Sequence, residues 1–139
     1  MRINRYQNFS GMKERDILDL FNAEVIECDD YYELYYTDTE AFWFFDGDDE
    51  NLKIDEIKEF LTYLVSDSFK NHCLVEKLKD KRILIFITES KYPNYTFYGV
   101  YKLDSPYTEG SGTGVVVEAY VPLKFRLIRD FYEVIQNSI

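Results

Sequence analysis

Apolar and polar positions alternate with two different periods along this chain, and each change of period marks a new element. Beyond Ser10, which has the chemistry of an N-cap, Ile17, Leu20 and Phe21 fall on one side and Asp16 and Asp19 on another, predicting a short amphipathic helix over about 12–22. The pattern then turns strand-like over 23–28, with Asp29 and Asp30 supplying turn chemistry before a second strand over 31–37. A polar break at 37–40 and the turn Asp46, Gly47, Asp48 bracket a third strand over 41–45. These three segments predict an antiparallel meander.

Ile54, Ile57, Leu61, Leu64, Val65 and Ser68 recur at helical spacing, which predicts an amphipathic helix over 53–69 with Asn71 as its stop. Residues 72–80 read either as a further helical turn or as loop. The nearly continuous β-branched and aromatic run 82–88 predicts a central strand buried on both faces, and 95–103 alternates and pairs with it as a hairpin across Tyr92, Pro93 and Asn94. A loop over 105–114, a strand over 114–121 stopped by Pro122, and a C-terminal helix marked by Leu127, Ile128, Phe131 and Ile135 complete the chain. The expected fold is a single α+β domain over residues 1–139. Its antiparallel sheet has about six strands, a meander plus a hairpin, packed against two to three helices.

Composition changes this picture in two ways. Thirteen Tyr and eleven Phe make the core one of large rings. The longest apolar runs are five residues, against roughly twenty for a membrane helix, and no apolar stretch near the start resembles a secretion signal. The expectation is a soluble, cytoplasmic protein with Cys28 and Cys73 reduced. Charge is unevenly divided: residues 1–60 carry −11 and residues 61–139 carry +1, within a net −10.

The imbalance is concentrated between Asp16 and Leu52, thirty-seven residues with thirteen carboxylates and no Lys, Arg or His. Like charges on neighbouring strands destabilise a sheet, so an uncompensated excess suggests a cationic partner. Carboxylates about 6.8 Å apart along a strand and about 4.8 Å apart across strands could also imitate a nucleic-acid backbone. The candidate partner-binding residues are Glu27, Asp29, Asp30, Glu33, Asp38, Glu40, Asp46, Asp48, Asp49 and Glu50, with Tyr31 and Tyr35 as ring anchors. The reading that follows is a non-enzymatic, cofactor-free inhibitor of a basic nucleic-acid-handling protein, such as a nuclease, a nucleic-acid-guided effector or a toxin. It would serve as a phage or mobile-element counter-defence protein, or as a toxin immunity protein. Direct contact of nucleic acid with the acidic half is disfavoured.

Catalytic and metal chemistry find little support. Asp46 to Glu50 lacks the Gly and the bidentate Glu of a Ca²⁺ loop, which leaves only a looser metal-dependent enzyme as an alternative. His72 and Cys73 are too few for zinc, and being adjacent they point apart. From Arg82 to Leu103, an apolar strand, a Tyr and Pro turn and the run YTFYGVYKL resemble strand pairs of PUA-like barrels, some of which read nucleobases. That resemblance implies an alternative function, a nucleic-acid-binding module in which Lys91, Lys102, Lys124 and Arg126 of the C-terminal half share a face. A central hairpin of the core accounts for the same residues and is the reading preferred from sequence.

Overall fold

The computed structural model describes residues 1–104 and 122–135. In chain order the elements are β1 (Arg2–Asn4), β2 (Asn8–Ser10), α1 (Glu14–Leu20), β3 (Glu27–Asp29), β4 (Leu34–Tyr36), β5 (Glu40–Phe45), β6 (Leu52–Asp55) and β7 (Phe60–Tyr63). They are followed by α2 (Ser68–Leu78), β8 (Arg82–Thr88), β9 (Asn94–Leu103), β10 (Leu123–Arg129) and β11 (Phe131–Glu133).

The central strands form because their residues have nowhere else to go. All six side chains of β5 and five of the seven in β8 are buried, as expected of strands packed on both faces. They pair in parallel, Glu40 opposite Arg82 through Phe45 opposite Ile87. Every other pairing is antiparallel, and the main sheet runs β3-β4-β5-β8-β9-β10-β7-β6, with β2 added to β9. A second, two-stranded sheet joins β1 to β11. At Gly99, with φ +119, the ladder between β8 and β9 slips, and a Cβ there would meet Leu127 Cδ1 at 2.5 Å. Glycine permits both the backbone angle and the close approach of β10.

Alternation along β5 and β8 builds two cores. Trp43, Phe45, Ile83, Ile85 and Ile87 face one side with Leu74 and Leu78 of α2. Phe42, Phe44, Leu84 and Phe86 face the other with Ile17 and Leu18 of α1. The sheet is strongly curled. Two strands separate β5 from β10, which would place them about 14 Å apart in a flat sheet, yet the rings of Trp43 and Phe125 lie 5.7 Å apart. Tyr63 of β7 also reaches Trp43, at 5.5 Å.

The expected fold class is corrected: the described residues form a nine-strand mixed sheet with a small second sheet and two helices. Residues 53–69 make the β6–β7 hairpin instead of a helix. Ile54 and Leu61 suit either period, but Ile57, which a helix would bury, is 94% exposed in a turn where Asp55 Oδ1 accepts from the backbone N of Lys58. The C-terminal segment is β10 and β11, its Ile128 and Ile135 exposed. The second helix lies at Ser68–Leu78, started by Asp67, whose Oδ1 accepts from the backbone N of Lys70. Ser10 belongs to β2, and α1 begins after Lys13, whose backbone N donates to Asp16. The loop expected at 105–114 and the strand expected at 114–121 lie outside the described residues.

Candidate functional site

A cavity of about 320 Å³ opens between the β3–β4 edge and α2. On the strand side the chain reverses because Asp29 Oδ1 accepts from the backbone N of Tyr31 and Tyr32, while Glu33 takes a left-handed φ of 53°. The reversal puts Glu27, Cys28, Asp29 and Asp30 along one wall. On the helix side, Lys70, Cys73, Leu74 and Lys77 share a face through their spacings of three, four and seven. Tyr32 and Tyr36 close the back.

The wall groups engage one another without filling the cavity. Lys77 pairs with Glu27, and the Cys28 thiol donates to Asp30 at 3.1 Å. Lys70 Nζ lies 4.2 Å from the ring centre of Tyr31, which is 75% exposed at the mouth. Tyr32 is pushed up to about 12, mainly by burial. Burial first, and then the bond to Asp30 with the surrounding carboxylates, pushes the Cys28 thiol up to about 11. Cys28 is therefore a poor nucleophile despite its exposure. In a Cys73→Ser background, alkylation of Cys28 is expected to be slow at pH 8, where roughly one thiol in a thousand is ionised, and to accelerate through pH 9–11. Fast labelling at pH 8 would contradict this.

Ring faces, carboxylate acceptors and ammonium donors around one opening suit a planar, polar ring carrying amino groups. Among the described residues, no group of three or more His, Cys, Asp or Glu side chains could hold a metal ion, and this applies to Asp46 to Glu50.

The sequence-predicted residues are divided among several places. Glu27, Asp29 and Asp30 line the cavity and Tyr31 stands at its mouth. Tyr35 packs edge-on against Phe44 in the α1-side core. Glu40 is buried, paired with Arg82 at 3.0 Å and accepting the Tyr132 hydroxyl through both oxygens. Asp38 precedes β5, where its carbonyl accepts from Lys81 Nζ. Asp46, Asp48, Asp49 and Glu50 lie past the other end of β5, about 20 Å away at strand rise. There Asp46 accepts from the backbone N of Asp48, and Asp49 from the Tyr63 hydroxyl. The acidic stretch therefore has counter-charges from beyond it, Lys77 on Glu27 and Arg82 on Glu40. In the C-terminal half, Lys102, Lys124 and Arg126 share a sheet face, whereas Lys91 lies in the β8–β9 turn. Sequence reasoning missed Lys70, Cys73 and Lys77, because 68–78 was not read as a helix; Asp67 followed by cations seven residues apart was the available signal.

The curled mixed sheet is of a PUA/SRA-like kind. Two solved DNA-modification-dependent restriction systems share this fold. One is the DNA modification-dependent restriction endonuclease AspBHI, with a TM-score of 0.61 and 15% identity over 95% of this chain and 44% of that one. The other is the DNA recognition domain of the cytosine modification-dependent restriction endonuclease LpnPI, with a TM-score of 0.54 and 10% identity over 97% of this chain and 74% of that one. The chain thus spans under half the length of AspBHI. No family profile and no curated protein matches it in sequence.

These likenesses correct two expectations. The two solved structures above are a restriction endonuclease and a DNA recognition domain, not inhibitors or immunity proteins. The expected basic protein partner, with nucleic acid kept from the acidic half, is likewise overturned by the likeness to a DNA recognition domain, and its premise weakens because the carboxylates are dispersed and two of them are paired with Lys77 and Arg82. Among the described residues, no helix is long and apolar enough to cross a membrane.

Proposed function

We propose that this chain is a DNA-recognition module, without catalytic chemistry of its own, that reads a single nucleobase in the cavity between β3–β4 and α2. The observation carrying this reading is that cavity, whose walls combine the rings of Tyr32 and Tyr36 with acceptors at Asp29 and Asp30 and cations at Lys70 and Lys77. The likeness to two DNA-modification-dependent enzymes agrees with it. A base inside a duplex cannot reach a cleft between a helix and a sheet edge, so it must leave the stack; it is then read by ring contact and by hydrogen bonds to its edge. Carboxylates accept from the exocyclic amino group of cytosine, and thymine carries no such group. Asp30 accepts only from the Cys28 thiol among the described residues, so acceptor capacity remains. Lys70 and Lys77, the second paired with Glu27, supply the ammonium groups for phosphates flanking an extruded nucleotide. The carboxylates on the wall, an obstacle to backbone binding, become an asset in reading a base edge. Cytosine in a modified form is the proposed ligand.

The test is a comparison of duplexes that differ in one modified cytosine, read by fluorescence anisotropy. Wild-type protein is expected to prefer the modified duplex. Cys73→Trp, which fills the cavity from an exposed helix position, is expected to abolish the preference while leaving the melting temperature close to wild type. Asp30→Ala is expected to weaken it by about tenfold, the order of one lost base contact. Equal wild-type affinity for both duplexes, or full discrimination by Cys73→Trp, would overturn the reading.

A further inference from the structure

We infer that the outward face of β6–β7–β10–β9 is a cationic track for the DNA phosphate backbone, a surface separate from the base-reading cavity. The inference rests on the reading of the chain as a DNA-recognition module and adds where the backbone is held.

Strand register puts the track together. Lys53 pairs with Thr62, and Thr62 with Lys124. In the neighbouring row Asp55 pairs with Phe60, Phe60 with Arg126, and Arg126 with Lys102. Directly paired residues point to one side of a sheet, and so do residues two apart on a strand. Lys53, Lys102, Lys124 and Arg126 therefore share a face. Its outward direction follows from parity, since the alternate residues Leu61, Leu123 and Phe125 are fully buried in the core. Lys53, Lys102 and Arg126 are exposed, and Lys124 is half-buried with Nζ 3.9 Å from the ring centre of Phe60.

Among the described residues, two carboxylates oppose these four cations. Asp55 stands at the edge of the second row, and Asp104 approaches Arg126 only at 3.8 Å. A surplus of positive charge on a protein of net −10 is a local arrangement that global charge cannot explain. Neighbouring positions lie about 4.8 Å apart across strands and about 6.8 Å along them, within reach of flexible lysine stems for successive phosphates. Phe60 at the centre offers a ring surface among the cations. Charge complementarity points to one occupant, the DNA backbone. Contacts of this kind position a duplex without reading its sequence.

Affinity for modified and unmodified duplexes, measured between about 50 and 200 mM salt, tests the track, because each phosphate neutralised contributes roughly 0.9 to the salt slope. Lys102→Gln/Arg126→Gln, and separately Lys53→Gln/Lys124→Gln, are each expected to flatten the slope of log K against log salt by about 2. Each double variant should weaken both duplexes by the same factor, so that discrimination by the cavity survives. Lys91→Gln, in the β8–β9 turn, should change neither quantity. Thermal melting establishes that each variant is folded. Unchanged slopes in folded double variants, with wild type still binding, would overturn the track alone. Failure of the wild type to bind any duplex at low salt would overturn the recognition reading and the track with it. A homodimer in sedimentation that the same double variants dissociate would assign the face to a second copy and also overturn the track.

Discussion

Replacing Trp43 with alanine is expected to cost about 3–5 kcal/mol of stability, the order observed when a fully buried large ring is truncated. Trp43 is 1% exposed and sits where the curled sheet closes on itself. It stacks on Phe45 at 4.6 Å and meets Tyr63 and Phe125 edge-on, so its loss opens a void between strands distant in the sheet order. Its Nε1 donates to the Tyr32 carbonyl at 2.9 Å, a bond alanine cannot replace. Domains of this size are stable by about 5–15 kcal/mol, so the loss takes a large share of the total. With urea slopes of about 1–3 kcal/mol per molar, the unfolding midpoint should fall by about 1–5 M. Trp43→Phe keeps most of the ring contact and loses only the donor, so its cost should be smaller. A Trp43→Ala midpoint within experimental error of wild type would contradict this account of how the curl is held. The substitution also bears on the proposed recognition, because Tyr32 lines the cavity wall and Trp43 anchors its backbone.

How far the fold can be read from sequence depends on whether a segment's burial is local. Residues 82–88 read correctly as a central strand because burial on both faces leaves an uninterrupted apolar run that no amphipathic helix would need. The 53–69 segment misleads because Ile54 and Leu61, seven apart, satisfy a helical period, while their true partners are each other across a hairpin. Helix α2 is the reverse case. Leu74 and Leu78 are its buried apolar side chains and Phe69 is 74% exposed, so its periodicity is weak, and its packing against the sheet is decided elsewhere. The cavity was legible only on its strand side. Glu27, Asp29 and Asp30 stood out by composition, but Lys70, Cys73 and Lys77 reach them through a contact between segments some forty residues apart. Glu40 shows the same limit at one residue: its partner Arg82 arrives by parallel pairing of β5 with β8, a register that no local pattern records. Lys102, Lys124 and Arg126 share a face through the pairing of β9 with β10, a register absent from a reading that made the C-terminal segment a helix; the face was expected only from the resemblance to PUA-like strand pairs, and Lys91 falls outside it because it lies in a turn.

Raising the pH beyond the ordinary tyrosine range is expected to unfold the protein cooperatively. Tyr36, Tyr95, Tyr98 and Tyr101 are all buried, and burial is the leading cause that holds each phenol above its ordinary value. Neighbouring carboxylates add to it where Tyr95 donates to Glu14 and Tyr98 to Glu89, whereas Arg5 beside Tyr101 pulls the other way. In the unfolded chain these phenols ionise near pH 10. Above that pH the unfolded state binds fewer protons than the folded one, so stability, fully present below pH 10, falls as pH rises. Each withheld ionisation contributes about 1.4 kcal/mol per pH unit, and four give about 5–6 kcal/mol per unit until the folded phenols themselves titrate. A reserve of about 5–15 kcal/mol is then exhausted within roughly one to three units. On increasing pH, the share of tyrosinate absorbance that belongs to the buried phenols should appear together with the loss of far-UV circular dichroism, in one shared transition above pH 10. If the thirteen tyrosines titrated smoothly around pH 10 with the secondary structure unchanged, burial would not be what restrains them.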